Sequence, residues 1–191
     1  MDFYSLVRSS RTCRRFKGDP LPLSALERIA DCARVSPSAR NAQQLRFALV
    51  SSPEKCAQLR SLVAFGGALK PEQKPTEAEQ PRGYIVILGP AELSAFGIMD
   101  VGIAAQSMFL AAGDAGLGCC MIGAFKKEGV AGLLGVENPA CVKLVLAFGE
   151  PAEERRLAER RPDGSLTYYR DENDVHCVPK ITLEEAIAMR L

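Results

Sequence analysis

The sequence predicts a single domain in which helices and strands interleave, and three stretches carry that reading. Leu26, Ile29, Ala30 and Ala33 recur at helical spacing behind Ser24-x-x-Glu27, a capping-box pattern whose side chains satisfy the free N–H groups of a helix start. Tyr84-Ile85-Val86-Ile87-Leu88 is an unbroken apolar run of strand length, which suits a central strand covered on both faces. From 99 to 115 nearly every position is apolar or small, as in a helix buried on most sides. At 191 residues the chain holds one sizeable domain and is too short for two ordinary ones.

Phe3-Tyr4-Ser5-Leu6-Val7 forms a short amphipathic opening. It leads into Ser9-Ser10-Arg11-Thr12-Cys13-Arg14-Arg15-Phe16, with three guanidinium groups and three hydroxyls in eight residues. Arginine presents a planar fork of donors that matches phosphate or carboxylate oxygens and keeps its charge. Hydroxyls and backbone N–H groups complete such an anion cradle. The segment reads as an anchor for a phosphorylated small molecule, with a solvated basic turn as the alternative.

Gly18-Asp19-Pro20 punctuates the chain before the helix over 24–33, which stops ahead of Pro37 because a residue preceding proline avoids the α region. A polar loop, 37–44, feeds the strand Phe47-Ala48-Leu49-Val50. Ser52-Pro53 supplies an N-cap and a proline at the first helical position, and the helix it starts carries Cys56, Leu59 and Leu62. Residues 66–83, with paired glycines, three prolines and many charges, read as an exposed excursion.

After the central strand and the long helix, Gly116-Leu117-Gly118 breaks the chain and Cys119-Cys120-Met121-Ile122 forms a strand. Gly123 ends it where a flat ligand can lie against backbone N–H groups. A helix over 126–134 and a strand over 142–148 follow. Residues 150–161, dense in both charge signs, read as the solvated start of a C-terminal arm over 150–191. Segments 166–170 and 175–178 flank a turn as a hairpin, and Thr182 caps a final helix carrying Leu183, Ala186 and Ile187.

Apolar residues make up 47% and charged residues 25%, with 24 basic against 23 acidic side chains, so nucleic acid or an anionic membrane is excluded as a bulk partner. The apolar stretch 95–117 contains Asp100, Gln106 and Asp114, which makes it a core helix and not a membrane span. No signal peptide is visible. Seven cysteines without a C-x-x-C spacing point to a reducing cytoplasm. The single histidine, His176, speaks against a metal site. Cys119 and Cys120 read as core, His176 as structural or exposed.

Four segments in order resemble the nitroreductase-like family of FMN-dependent oxidoreductases. Ser10-Arg11-Thr12-Cys13-Arg14-Arg15-Phe16 is similar to the family's Arg-Arg-Ser-x-Arg-x-Phe, with Ser10 in the place of an arginine. The stretch 37–47 is similar to Pro-Ser-x-x-Asn-x-Gln-Pro-Trp-x-Phe, with Gln44-Leu45 in the place of Pro-Trp. The third runs from Asp100 through Gly116-Leu117-Gly118 to Met121-Ile122-Gly123, and the fourth, 146–153, resembles Ala-Leu-Gly-Tyr-Pro-Ala-Glu.

The resemblance implies an α+β fold with a central, mostly antiparallel sheet flanked by helices, assembled as an intertwined homodimer with FMN at the interface. It assigns Ser10, Arg11 and Thr12 to the flavin phosphate or ribityl chain and Arg14 to the O2 region of the ring. Lys180 matches a phosphate-binding basic residue, with Arg8 or Arg170 available to replace the arginine missing at position 10. Pro37, Ser38, Ala39 and Asn41 come from the opposite subunit, and Ile122 and Gly123 lie beside the flavin N5. The implied activity is NADH- or NADPH-driven reduction of a nitroaromatic, quinone or related small-molecule electron acceptor by a ping-pong route, with no catalytic side chain because the flavin carries the chemistry. A flavin-binding sensor with little turnover, or a narrower flavin enzyme such as a dehalogenase, stays open beside it.

Overall fold

In the computed structural model, which describes residues 1–191, the strand β3 (Gly83–Leu88) lies between β2 (Arg46–Val50) and β5 (Val142–Pro151), antiparallel to both. The long β5 also pairs antiparallel with β4 (Gly118–Ile122) and, at its C-terminal end, with β1 (Phe16–Lys17). The α+β, mostly antiparallel sheet is therefore as expected.

Alternation along β3 builds two cores. Ile85 and Ile87 face one layer, where they meet Leu26, Ile29 and Ala33 of α2 (Leu23–Arg34) and Ala105, Met108 and Ala112 of α4 (Ala95–Asp114). Tyr84 and Val86 face the other layer, with Cys56 and Leu59 of α3 (Pro53–Arg60) and Val130 of α5 (Lys127–Leu134). Successive side chains of a strand point to opposite faces, so a run with no polar position is what a doubly covered strand requires.

The N-terminus forms α1 (Phe3–Ser9), capped by Asp2, which packs on α4. Past the main sheet, β6 (Arg155–Ala158) runs parallel to β8 (His176–Pro179), and β7 (Tyr169–Arg170) completes a second, three-stranded sheet before α6 (Leu183–Ala186).

Several expectations need correction. Helix α2 begins at Leu23 with Pro22 as its N-cap and no side-chain cap, because the prolines before it hold the chain extended up to that residue; Ser24 lies inside the first turn. Leu62 lies beyond the end of α3, and Ile187 beyond that of α6, whose Thr182–Glu185 capping box is present. Residues 150–161 are not simply solvated: β5 runs to Pro151, β6 follows, and the Glu153 side chain is 1% exposed. Helix α4 is not buried on most sides. Phe96, Ile98, Met99 and Ile103 stand open to solvent in the single chain, although Asp100, Ala104 and Met108 are buried. By length and composition α4 is apolar enough to cross a membrane; here it packs on α2 and β4.

The 66–83 excursion is exposed over half its length, with Gly66, Leu69, Pro81 and Gly83 buried and Gly83 already in β3, and it carries two single turns of 3-10 helix, Pro71–Gln73 and Glu77–Glu79. It is tied down at Gln73 and Glu79 by Arg15, at Gln80 by Arg60, and at the Ala68 N–H by the Tyr168 hydroxyl.

Candidate functional site

The anion motif is held by two glycines. A Cβ on Gly113 of α4 would stand 2.6 Å from Ser10 Oγ, and one on Gly118 of β4 would stand 2.6 Å from Cys13 Cβ and Sγ. Only a bare backbone admits the 10–16 segment this close to α4 and β4. The Cys13 N–H donates to the Cys119 carbonyl at 2.9 Å and fixes the register.

So pinned, the motif presents donors that nothing in the protein uses. Ser10 Oγ and the Nε atoms of Arg11, Arg14 and Arg15 are buried without a hydrogen-bond partner, as are those of Arg82 and Arg170 outside the motif. Buried polar groups are nearly always satisfied, so the unpaired Ser10 Oγ and Arg11 Nε, which share a cleft, mark a place where another group can be received. Ser10 and Arg11 line one small cleft with Arg155, whose Nη1 donates to the Arg11 carbonyl at 3.1 Å. Burial, and then the charge of Arg8, push the Arg11 guanidinium below its ordinary pKa, so an anion here would be stabilised by both cations.

Arg8 itself lies on a second cleft, of about 750 Å³, together with Arg160, Lys180 and Thr182. Arg160 is paired with Glu185, while Arg8 and Lys180 form no ion pair. Of the two candidate replacements for the arginine missing at position 10, Arg8 lines the same cleft as Lys180. Arg170 is fully buried against Glu153 and is not free for a phosphate.

The second set of site residues lies elsewhere. Pro37 and Ser38 line a cavity of about 200 Å³ with Gln43, Gln44 and Asp100, and the Ala39 N–H donates to Asp100 Oδ1 at 3.0 Å. Arg40, Asn41 and Gln43 have φ of 54°, 54° and 47°, the left-handed region that costs a side-chain-bearing residue energy. Ser10 sits at Gly113 and Ala39 at Asp100, so the two sets lie 13 residues apart along α4, roughly 20 Å at 1.5 Å per residue. One chain does not bring them together.

At the end of β4, Ile122 points into the core and Gly123 is exposed, with nothing within 4 Å of where its Cβ would be. Thr12 is half-buried in the motif, Arg14 is buried, and neither lines the clefts just described.

Arg14 is surrounded by the C-terminal arm. Its Nη1 is 2.8 Å from His176 Nε2, and its guanidinium carbon lies 4.1 Å from the centre of the Tyr168 ring. Its backbone N–H and that of Arg15 donate to Glu153, whose other oxygen pairs with Arg170. His176 is fully buried, and burial followed by the Arg14 charge hold its pKa down to about 4, so the ring is neutral. Cys13 and Cys120 are pushed up to about 12 and about 11 by burial, and Cys119 also well upward, which makes them unreactive thiols.

Sequence reasoning missed Arg155, Tyr168 and the burial of His176. No local signal marks them, since their partners lie more than a hundred residues away. Glu153 was in view, in the Pro151-Ala152-Glu153 tail of the fourth motif.

An antiparallel sheet between helical layers, with an arginine-rich anion motif on its edge, defines the class. The family model described as the nitroreductase family matches residues 7–150, and the chain belongs to that family. The chain is 24% identical over 191 residues to an NADH dehydrogenase of Thermus thermophilus, covering 85% of this chain and 93% of that one. It is 23% identical over 180 residues to a Cr(VI) reductase of Pseudomonas sp. strain G-1, covering 88% and 74%. A structure from Desulfovibrio desulfuricans, solved in complex with FMN, shares the fold with a TM-score of 0.67 at 21% identity, covering 98% and 96%.

Proposed function

We propose that this chain is an FMN-dependent oxidoreductase that draws on NADH or NADPH to reduce nitroaromatic, quinone or similar conjugated acceptors. The observation that carries the reading is the overlap of the family match with a motif whose buried donors, Ser10 Oγ, Arg11 Nε and Arg14 Nε, have no protein partner. These are the donors a phosphorylated, oxygen-rich cofactor needs.

Ser10, Arg11 and Thr12, with Arg8 and Lys180 on the neighbouring cleft, would bind the phosphate and ribityl chain. Arg14 would hold the polar edge of the ring, and Gly123 would leave room for the ring beside Ile122. Bound FMN would supply the hydride and electron chemistry, serving donor and acceptor in alternate half-reactions.

The same reading makes the protein a homodimer and a soluble, cytoplasmic enzyme. Phe96, Ile98, Met99 and Ile103 form an exposed apolar face on α4, of the kind that marks an interface. Pairing α4 antiparallel with its copy, with the crossing near the exposed Gln106, would carry Pro37, Ser38, Ala39 and Asn41 of the partner subunit toward this chain's Ser10 and Arg11. Each site would then need two chains, which accounts for the roughly 20 Å between the two sets.

The test is an absorbance spectrum of the purified protein, with FMN added if it is colourless, before and after anaerobic NADH and then NADPH. Flavin bands that bleach support the reading and name the donor. Bands that persist with both donors favour a binding or sensing role, and failure to take up FMN overturns the assignment. Arg11→Ala should lower FMN affinity about ten- to a hundredfold, the worth of one charge-assisted contact. Met99→Glu with Ile103→Glu should give a monomer in light scattering that no longer retains FMN; a persistent dimer would move the interface elsewhere.

A further inference from the structure

The segment matched by the family model ends at residue 150, yet the side chains that enclose Arg14 come from beyond it. Tyr168, just ahead of β7, stacks on the guanidinium at 4.1 Å, and His176, on β8, accepts from Nη1 at 2.8 Å. The two rings stand 5.4 Å apart, tilted by 57°. Arg14 is 8% exposed and His176 fully buried.

The chemistry of this enclosure is unusual for a structural arginine. A buried guanidinium is ordinarily paired with a carboxylate, because an uncompensated buried charge is costly. Here the nearby carboxylate, Glu153, is taken up by Arg170 and by the backbone N–H groups of Arg14 and Arg15, and no ion pair forms to the Arg14 side chain. A neutral imidazole and an aromatic face fix its position without cancelling its charge. Arg14 Nε is left with a buried, unused N–H, and so is His176 Nδ1, which carries the ring proton when Nε2 accepts. Orientation is fixed, charge is retained, and a donor is held in reserve.

We propose that His176 and Tyr168 are positioning residues that hold the charged Arg14 guanidinium in place for the polar edge of the bound flavin. This rests on the FMN reading above. On this account the C-terminal sheet does more than pack: it turns a flexible side chain into a fixed cation before the ligand arrives, so less freedom is lost on binding.

The experiment is a double-mutant cycle on the FMN dissociation constant, read by flavin fluorescence, with unfolding midpoints measured in parallel. His176→Phe keeps a buried ring and removes the acceptor; His176→Gln restores an acceptor. Arg14→Ala and His176→Phe should each weaken FMN binding about tenfold, as expected for one charge-assisted hydrogen bond. The double variant should be no weaker than Arg14→Ala alone, and His176→Gln should recover most of the loss. In the FMN-free protein, Arg14→Ala should move the His176 titration upward in NMR, a readout independent of the cofactor.

Additive losses, or His176→Gln behaving like His176→Phe, would mean that His176 acts only on stability and would overturn the proposal while leaving the flavin reading intact. Arg14→Ala that binds FMN like the wild type would overturn it as well. Wild-type protein that takes up no FMN overturns both. Should His176→Phe fail to fold, Tyr168→Leu, at a half-buried residue that keeps an apolar side chain, carries the same cycle with Arg14→Ala.

Discussion

Replacing Glu153 with glutamine tests the joint between the motif and the arm most directly. One carboxylate oxygen accepts the backbone N–H groups of Arg14 and Arg15, and the other pairs with Arg170. The side chains of Glu153 and Arg170 are 1% and 0% exposed, so solvent does little to screen them. Glutamine preserves the shape and one acceptor but removes the charge and turns an N–H group toward other donors. Arg170 then keeps only the Asp174 carbonyl at 2.9 Å and the exposed Asp174 carboxylate at 3.6 Å. Breaking one side of a buried pair costs about 3–5 kcal/mol, against a total stability of about 5–15 kcal/mol for a domain. Adding Arg170→Met removes the stranded charge, and the double variant should regain most of the loss, because a buried pair contributes little beyond an apolar pair of equal volume. Urea unfolding followed by circular dichroism, at one fixed protein concentration, measures both. A loss below about 1 kcal/mol for Glu153→Gln, or a double variant weaker than the single, would refute the reasoning.

Acid should expose the cost of the neutral His176. Its folded pKa of about 4 lies below the ordinary 6.5, through burial first and then Arg14, with Arg170 and Arg155 acting the same way and Glu153 opposing. The unfolded chain therefore binds the proton first. The stabilisation is fully present above about pH 6.5 and is lost as pH falls toward 4, by roughly 2–3 kcal/mol; His176→Gln should flatten that part of the stability profile. In the native protein a thiol reagent at neutral pH should label exposed Cys32 and spare Cys13, Cys119 and Cys120; rapid labelling of the Cys119–Cys120 pair would contradict their burial. Gly118→Ala should destabilise by about 1–3 kcal/mol, since its new methyl meets Cys13 at 2.6 Å; an unchanged unfolding midpoint would mean that β4 and the motif are free to part.

What could be read from the sequence follows the range of the interactions. The central strand was legible because Tyr84 to Leu88 obey a local rule, apolar at every position for two covered faces. The basic motif stands out by residue type alone, three arginines among hydroxyls. The apolarity of α4 does not separate the side that meets α2 and β4 from the side that carries Phe96, Ile98 and Met99, which stand open to solvent in the single chain. Charge density over 150–161 looked like solvation because nothing local separates Glu153, which finds Arg170, from Glu159, which stays in water. Tyr168 and His176 gave no signal at all, since what makes them matter stands at position 14.

The span of those contacts bears on how the protein is made. Arg14 bonds to His176 across 162 positions and to Glu153 across 139. At about 5–20 residues per second, the arginine waits on the order of 10–30 s after leaving the ribosome for its last partner. The strands of the main sheet all lie before residue 152, so that sheet can assemble while the arm is still being synthesised. The seam between residues 10–16 and 153–176 is then the last to close, and its closure is short, because the pairing of Phe16 with Pro151 already holds the motif beside the start of the arm. Chains stopped short of His176 would carry every strand of the main sheet and an Arg14 without its ring acceptor.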